Sequence, residues 1–159
     1  MITGYWHAGV SVSDMERSLV FYRDLLGLEQ VSDRVVRTAS VIEVTGTAVD
    51  AIRVCMLKVP GEDLYLELLE YGAPGPLADR NTIASEPGTG HVCFYVDDLV
   101  AVWNQLHGVG VESPSGGPVD FSERTPGTWC IYLRDPDGFL VELFEGPRYP
   151  LRTLGERLP

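Results

Sequence analysis

HAGVSVSDMERSLVFYRDLLGLE, residues 7–29, and HVCFYVDDLVAVWNQLHGVGVE, residues 91–112, carry one pattern twice. Each opens on a histidine, alternates apolar residues, and reaches an aspartate. Apolar residues at helical spacing then continue until a glycine, Gly27 or Gly110. A shift of 84 residues places His7 on His91, Val12 on Val96 and Asp14 on Asp98. Alternation at period two predicts a strand, and spacing of three and four predicts a helix. Asp14 or Ser13 suits the start of the first helix, and glycine suits its end. Met15, Leu19, Phe21, Tyr22, Leu25 and Leu26 form the inward stripe of the first helix. Leu99, Val102, Trp103, Leu106 and Val109 do the same in the second.

After each helix the pattern turns to strands. Those of the first half are expected near 29–45, 49–59 and 63–71, with turns at TGTAVD and PGED. Those of the second half are expected near 111–121, 128–134 and 139–145, with turns at TPG and DPDG. Both halves thus read βαβββ, an α+β class built by internal duplication. Module one covers about 5–71 and module two about 91–146. The Gly- and Pro-rich GAPGPLADRNTIASEPGTG, 72–90, reads as a linker, and 147–159 as a C-terminal tail.

At 159 residues, 45% hydrophobic and 22% charged, the chain suits one domain with a real core. A net charge of −11 argues against a nucleic-acid partner and weakly against polyanionic substrates. No apolar run approaches a membrane span, and MITGYWHAGV lacks the layout of a signal peptide. Cys55, Cys93 and Cys130 are odd in number and lack CxxC spacing, which favours a reduced, cytoplasmic chain.

Each half also ends on a glutamate inside an apolar strand: Glu67 in YLELLEY and Glu142 in FLVELFE. Period two puts His7 with Gly9 and Ser11 on one face, and Ala8, Val10 and Val12 on the other. His91 likewise shares a face with Cys93 and Tyr95. The apolar row should pack under the helix and leave the histidine row facing the other side. An unpartnered buried carboxylate is costly, and two histidines with two carboxylates would satisfy one divalent cation. Such an N₂O₂ set suits Zn²⁺, Ni²⁺, Co²⁺, Mn²⁺ or Fe²⁺, with zinc favoured. Glu70 and Glu145 are expected to be solvated. His107, at the end of the second helix, suits the helix dipole rather than a metal.

With these residues in view, HAGVSVSDMERSLVFYRDLLGLE, LELLEY, GHVCFYVDDL and DPDGFLVELFE resemble the vicinal oxygen chelate superfamily over residues 5–146. The superfamily includes glyoxalase I, methylmalonyl-CoA epimerase, extradiol dioxygenases, fosfomycin-resistance transferases and bleomycin-binding proteins. The resemblance implies paired βαβββ modules curving into a cup-like mixed sheet around one metal, with His7, Glu67, His91 and Glu142 as ligands. A filled four-ligand set is closer to glyoxalase I and the epimerases than to the branches using two histidines and one glutamate. Bleomycin-binding members usually lack the set.

What the resemblance implies for chemistry is proton abstraction next to a metal-bound carbonyl, through an enediolate, with Glu67 and Glu142 as catalytic bases. The sparse cationic side chains, 12 Lys plus Arg with Lys58 the one lysine, favour an epimerase or isomerase of a small hydroxy-ketone. A sugar-like or cyclitol ketone of valiolone type fits. An acyl-CoA thioester remains open, with Arg37 or Arg124 as rim cations. The alternatives are glyoxalase I (lactoylglutathione lyase) and a non-catalytic binding or resistance protein of the same fold. A C₂ homodimer is expected, with the modules pairing within one chain or exchanging between two.

Overall fold

A computed structural model describes residues 1–47, 49–72, 83–123 and 125–148. Most of the expected linker, residues 73–82, and the tail from 149 onward lie outside the described residues. Two compact units emerge: Met1–Thr82 with Asp135–Phe139, and Ile83–Arg134 with Leu140–Pro159.

Unit 1 runs β1 (His7–Val12), α1 (Met15–Leu19), β2 (Glu29–Val36), α2 (Ala39–Thr45), β3 (Ile52–Lys58) and β4 (Tyr65–Glu70). Its mixed sheet has the order β1-β4-β3-β2, with β1 parallel to β4 and the other pairs antiparallel. The inner strand β3 is buried on both faces through Ile52, Val54, Cys55, Met56 and Leu57. The edge strand β2 is largely exposed, with its register broken between Gln30 and Ser32, as edge strands often are.

Unit 2 repeats this with β5 (His91–Tyr95), α3 (Leu99–Gly108), β6 (Val119–Asp120), β7 (Trp129–Arg134) and β8 (Leu140–Glu145). Its sheet order is β5-β8-β7-β6, again with the first pair parallel. The two four-stranded mixed sheets establish the α+β class. No helix among the described residues is long and apolar enough to cross a membrane.

Asp14 and Asp98 cap α1 and α3, accepting from the amides of Arg17 (3.1 Å) and Ala101 (2.9 Å). Met15, Leu19, Phe21, Tyr22, Leu99, Trp103 and Leu106 are buried as the stripes require. The first helix is not α-helical throughout: Val20–Leu25 forms a π-helical stretch, closed by Gly27 at φ 78°. Val109 is 62% exposed, because α3 ends one residue before it. Glu70 and Glu145 are not simply solvated. They accept from the first helical amides, Met15 N at 3.1 Å and Leu99 N at 2.7 Å, which have no partner inside a helix.

Two expected strands are shorter. The run expected as strand over 29–45 breaks after Val36, and 39–45 is helical despite its β-branched residues. Gly46 closes that helix in the left-handed conformation at φ 63°, and Val44 is left 82% exposed. The strand expected over 111–121 contracts to Val119–Asp120. Pro114 and Pro118 lack amide donors, and Gly116 turns at φ 74°, so no ladder can run through that stretch.

Candidate metal centre

In unit 1, β1 and β4 run parallel with Gly9 opposite Glu67 and His7 opposite Tyr65. Glu67 therefore lies diagonal to His7 on one face, and His7 Nε2 stands 3.2 Å from Glu67 Oε2. Gly9 lies against this carboxylate: a Cβ there would sit 3.9 Å from Oε2, in ordinary contact. Leu66 and Leu68 point into the core on the opposite face, as do Val10 and Val12. Trp6 packs edge-on against His7 with ring centroids 4.6 Å apart, and His7 Nδ1 is buried with no hydrogen-bond partner among the described residues.

Unit 2 builds the same diagonal. Cys93 lies opposite Glu142 and His91 opposite Leu140, and His91 Nε2 stands 3.0 Å from Glu142 Oε2. Val141 and Leu143 are buried on the other face. The surroundings of the carboxylate differ from those in unit 1. Cys130 Sγ donates to Glu142 Oε1 at 3.1 Å, and Tyr132, opposite Glu142 on β7, packs edge-on against His91 at 5.2 Å. Burial, then the neighbouring Glu142, pushes the Cys93 thiol up to about 12. Burial and the hydrogen bond to Glu142 push Cys130 up to about 12 as well. Both thiols are protonated at neutral pH. The Tyr132 hydroxyl is also raised, first by burial and then by the Glu142 charge.

The four expected ligands are thus brought together two by two. Among the described residues, no three His, Cys, Asp or Glu side chains form a group that could hold a metal ion. Each pair fits half of such a site. Donors bound tetrahedrally to one ion at about 2.1 Å lie about 3.4 Å apart, so each His–Glu pair would have to open slightly to hold it. His107 instead stacks on Trp103 at 4.8 Å. Arg37 is exposed, and Arg124 lies outside the described residues. Tyr132 and Cys130 belong to the site's surroundings without having been expected there. The signal was present in WCIYLR, where Ile131 and Leu133 alternate with them as core residues.

The family model described as "Glyoxalase/Bleomycin resistance protein/Dioxygenase superfamily" matches residues 4–143. A virulence protein of Salmonella typhimurium is 28% identical over 141 residues, 86% of this chain and 80% of that one. A lactoylglutathione lyase of Pseudomonas aeruginosa is 28% identical over 152 residues, 87% of this chain and 80% of the enzyme. A glyoxalase family protein from Bacillus cereus shares the fold with a TM-score of 0.78 at 22% identity, covering 91% of this chain and 95% of that one. With the duplicated βα-and-strand units and a family match over nearly its whole length, the chain belongs to the glyoxalase/bleomycin resistance/dioxygenase superfamily, the vicinal oxygen chelate group.

Proposed function

We propose that this chain is a divalent-metal-dependent epimerase or isomerase of a small hydroxy-ketone, with a sugar-like or cyclitol ketone as substrate class. Members of the superfamily typically bind a divalent metal. The observation that carries the reading is the repeated diagonal: a histidine Nε2 facing a glutamate Oε2 at 3.2 Å in unit 1 and 3.0 Å in unit 2. The two pairs, His7–Glu67 and His91–Glu142, would together supply the N₂O₂ ligand set of one ion, zinc by preference. When bound, the ion would supply Lewis-acid polarisation of a substrate carbonyl. The histidines hold position through their ring nitrogens. A glutamate carboxylate takes the proton from the carbon beside the carbonyl and returns it. A reducing, cytoplasmic setting suits the three free thiols, Cys55, Cys93 and Cys130.

The test is isotopic. In deuterated water, turnover of a hydroxy-ketone incorporates deuterium at the carbon beside the carbonyl. Incorporation requires the ion and falls in Glu67→Gln and in Glu142→Gln. A second reading has the Pseudomonas lyase behind it. High turnover of the methylglyoxal–glutathione adduct, with none on hydroxy-ketones, would move the assignment to lactoylglutathione lyase.

We also propose a C₂ homodimer. The β1 and β5 edges each carry one histidine, and a twin subunit would cover exposed sheet edges. Light scattering at micromolar concentration should give twice the chain mass, and a monomer there removes the proposal. If sites are shared across the dimer, mixing His7→Ala with His91→Ala subunits restores one intact ligand set per heterodimer, and activity with it.

A further inference from the structure

The two modules match in register around their glutamates, so differences between them are informative. Glu67 lies between Gly9 on β1 and Met56 on β3, and Glu142 between Cys93 on β5 and Tyr132 on β7. Two residues further on, Leu69 is paired with Val54, and Phe144 with Cys130. The duplication has therefore placed a valine in one module where the other has a thiol. The consequence is visible at the carboxylates. Both oxygens of Glu142 are engaged, Oε2 by His91 at 3.0 Å and Oε1 by the Cys130 thiol at 3.1 Å. Glu67 meets His7 through Oε2 at 3.2 Å, and no donor from the described residues meets its Oε1.

We propose that Cys130 is a positioning residue that fixes Glu142 as a standing ligand and thereby leaves proton transfer to Glu67. The inference rests on the ion-dependent reading above and assigns the two glutamates unequal roles. A carboxylate serving as base must reorient from the ion toward the substrate. Glu142 would have to give up His91 and Cys130, with Cys93 and Tyr132 bonded to it as well, whereas Glu67 would give up His7 alone. In the transfer, the carbon–hydrogen bond breaks and its electron pair moves toward the carbonyl oxygen. An O–H bond forms on Glu67, and return of the proton to carbon regenerates the carboxylate. Hydrogen-bond partners of ligating carboxylates commonly tune ion affinity, so the thiol should be measurable there without any substrate.

The experiment titrates metal-free protein with Co²⁺, followed by calorimetry and by absorbance. Cys130→Val copies the residue that unit 1 already carries at this place, and its metal-free melting temperature should fall only modestly, through loss of one part-buried hydrogen bond. Its Co²⁺ affinity should fall about 10- to 100-fold. Cys130→Ser, which keeps a donor, should recover most of that loss. In deuterated water with dihydroxyacetone as probe, Glu67→Gln should still take up Co²⁺ yet stop exchange, whereas Glu142→Gln should lose the ion. Val54→Cys, which leaves unit 2 untouched, should slow exchange several-fold by tethering Glu67. Wild-type affinity in Cys130→Val, or a sulfur-to-cobalt charge-transfer band showing direct thiolate ligation, overturns the positioning role alone. Failure of the wild-type protein to take up Co²⁺ overturns the ion-dependent reading and this one with it.

Discussion

His91→Ala and Glu142→Ala should lose the divalent ion proposed for this chain, and catalytic activity with it. Each removes one member of a pair already set 3.0 Å apart and leaves its partner to hold the ion alone on that side. The loss is readable without a substrate. An ion that binds only the folded chain adds about 2.7 kcal/mol of stability at a hundredfold excess over its Kd, and the melting temperature rises accordingly. Wild type should show this rise on adding Zn²⁺ and lose it to a chelator. The two variants should melt alike with and without the ion. Elemental analysis of purified protein gives the parallel answer. A wild-type melting temperature indifferent to both ion and chelator would count against an ordered site.

Asp135→Ala should produce the largest loss of stability of any substitution considered. Asp135 is 5% exposed, and its carboxylate takes three hydrogen bonds. The buried Tyr22 hydroxyl donates to Oδ2 at 2.8 Å, and the amides of Asp137 and Phe139 donate to Oδ1 at 2.9 and 2.8 Å. Alanine leaves all three donors without their acceptor, a penalty of about 3 kcal/mol or more. Asp135→Asn keeps an acceptor oxygen and should cost much less.

The pH dependence follows from the same contacts. Burial raises the Asp135 carboxyl above the ordinary aspartate range, outweighing the hydrogen bonds from Tyr22, Phe139 and Asp137 that pull it down. A carboxyl raised in the folded state holds its proton more tightly there than in the unfolded chain. Its contribution is therefore fully present below the ordinary aspartate value and is lost as pH rises through the raised one. Urea denaturation of wild type and Asp135→Asn across that window should show the wild type's margin shrinking as pH rises. A constant margin would mean that Asp135 does not titrate differently in the two states.

The parts of the molecule legible in the sequence are those where local pattern and tertiary environment agree. The repeat headed by His7 and His91 announced two modules, and alternation in HAGVSV correctly put Val10 and Val12 inside. Glu67 and Glu142 stand out because a carboxylate among leucines contradicts its surroundings, and each faces the histidine of its own module at 3.2 or 3.0 Å. Residues 39–45 were not legible, because valine and isoleucine favour strands intrinsically, yet the segment is helical and closed by Gly46. The roles of Glu70 and Glu145 were hidden for another reason. Their partners, the amides of Met15 and Leu99, lie 55 and 46 residues away, and no local pattern encodes such a pairing. The contact of Cys130 with Glu142 was hidden likewise, since it depends on the register of β7 against β8.

The hairpin turn between β7 and β8 is grouped with the first unit, although the chain reaches it only after most of the second has been laid down. This sets an order of events during synthesis. Ribosomes deliver the chain from its N-terminus at about 5–20 residues per second, and early segments fold as they emerge. Residues 1–72 can pair their strands promptly, but the Tyr22 hydroxyl must wait for Asp135. For some seconds the nascent first unit therefore holds the Tyr22 hydroxyl without its protein acceptor, open to water. A stop codon placed before Asp135 would make that interval permanent and leave the first unit without the segment that closes over Tyr22.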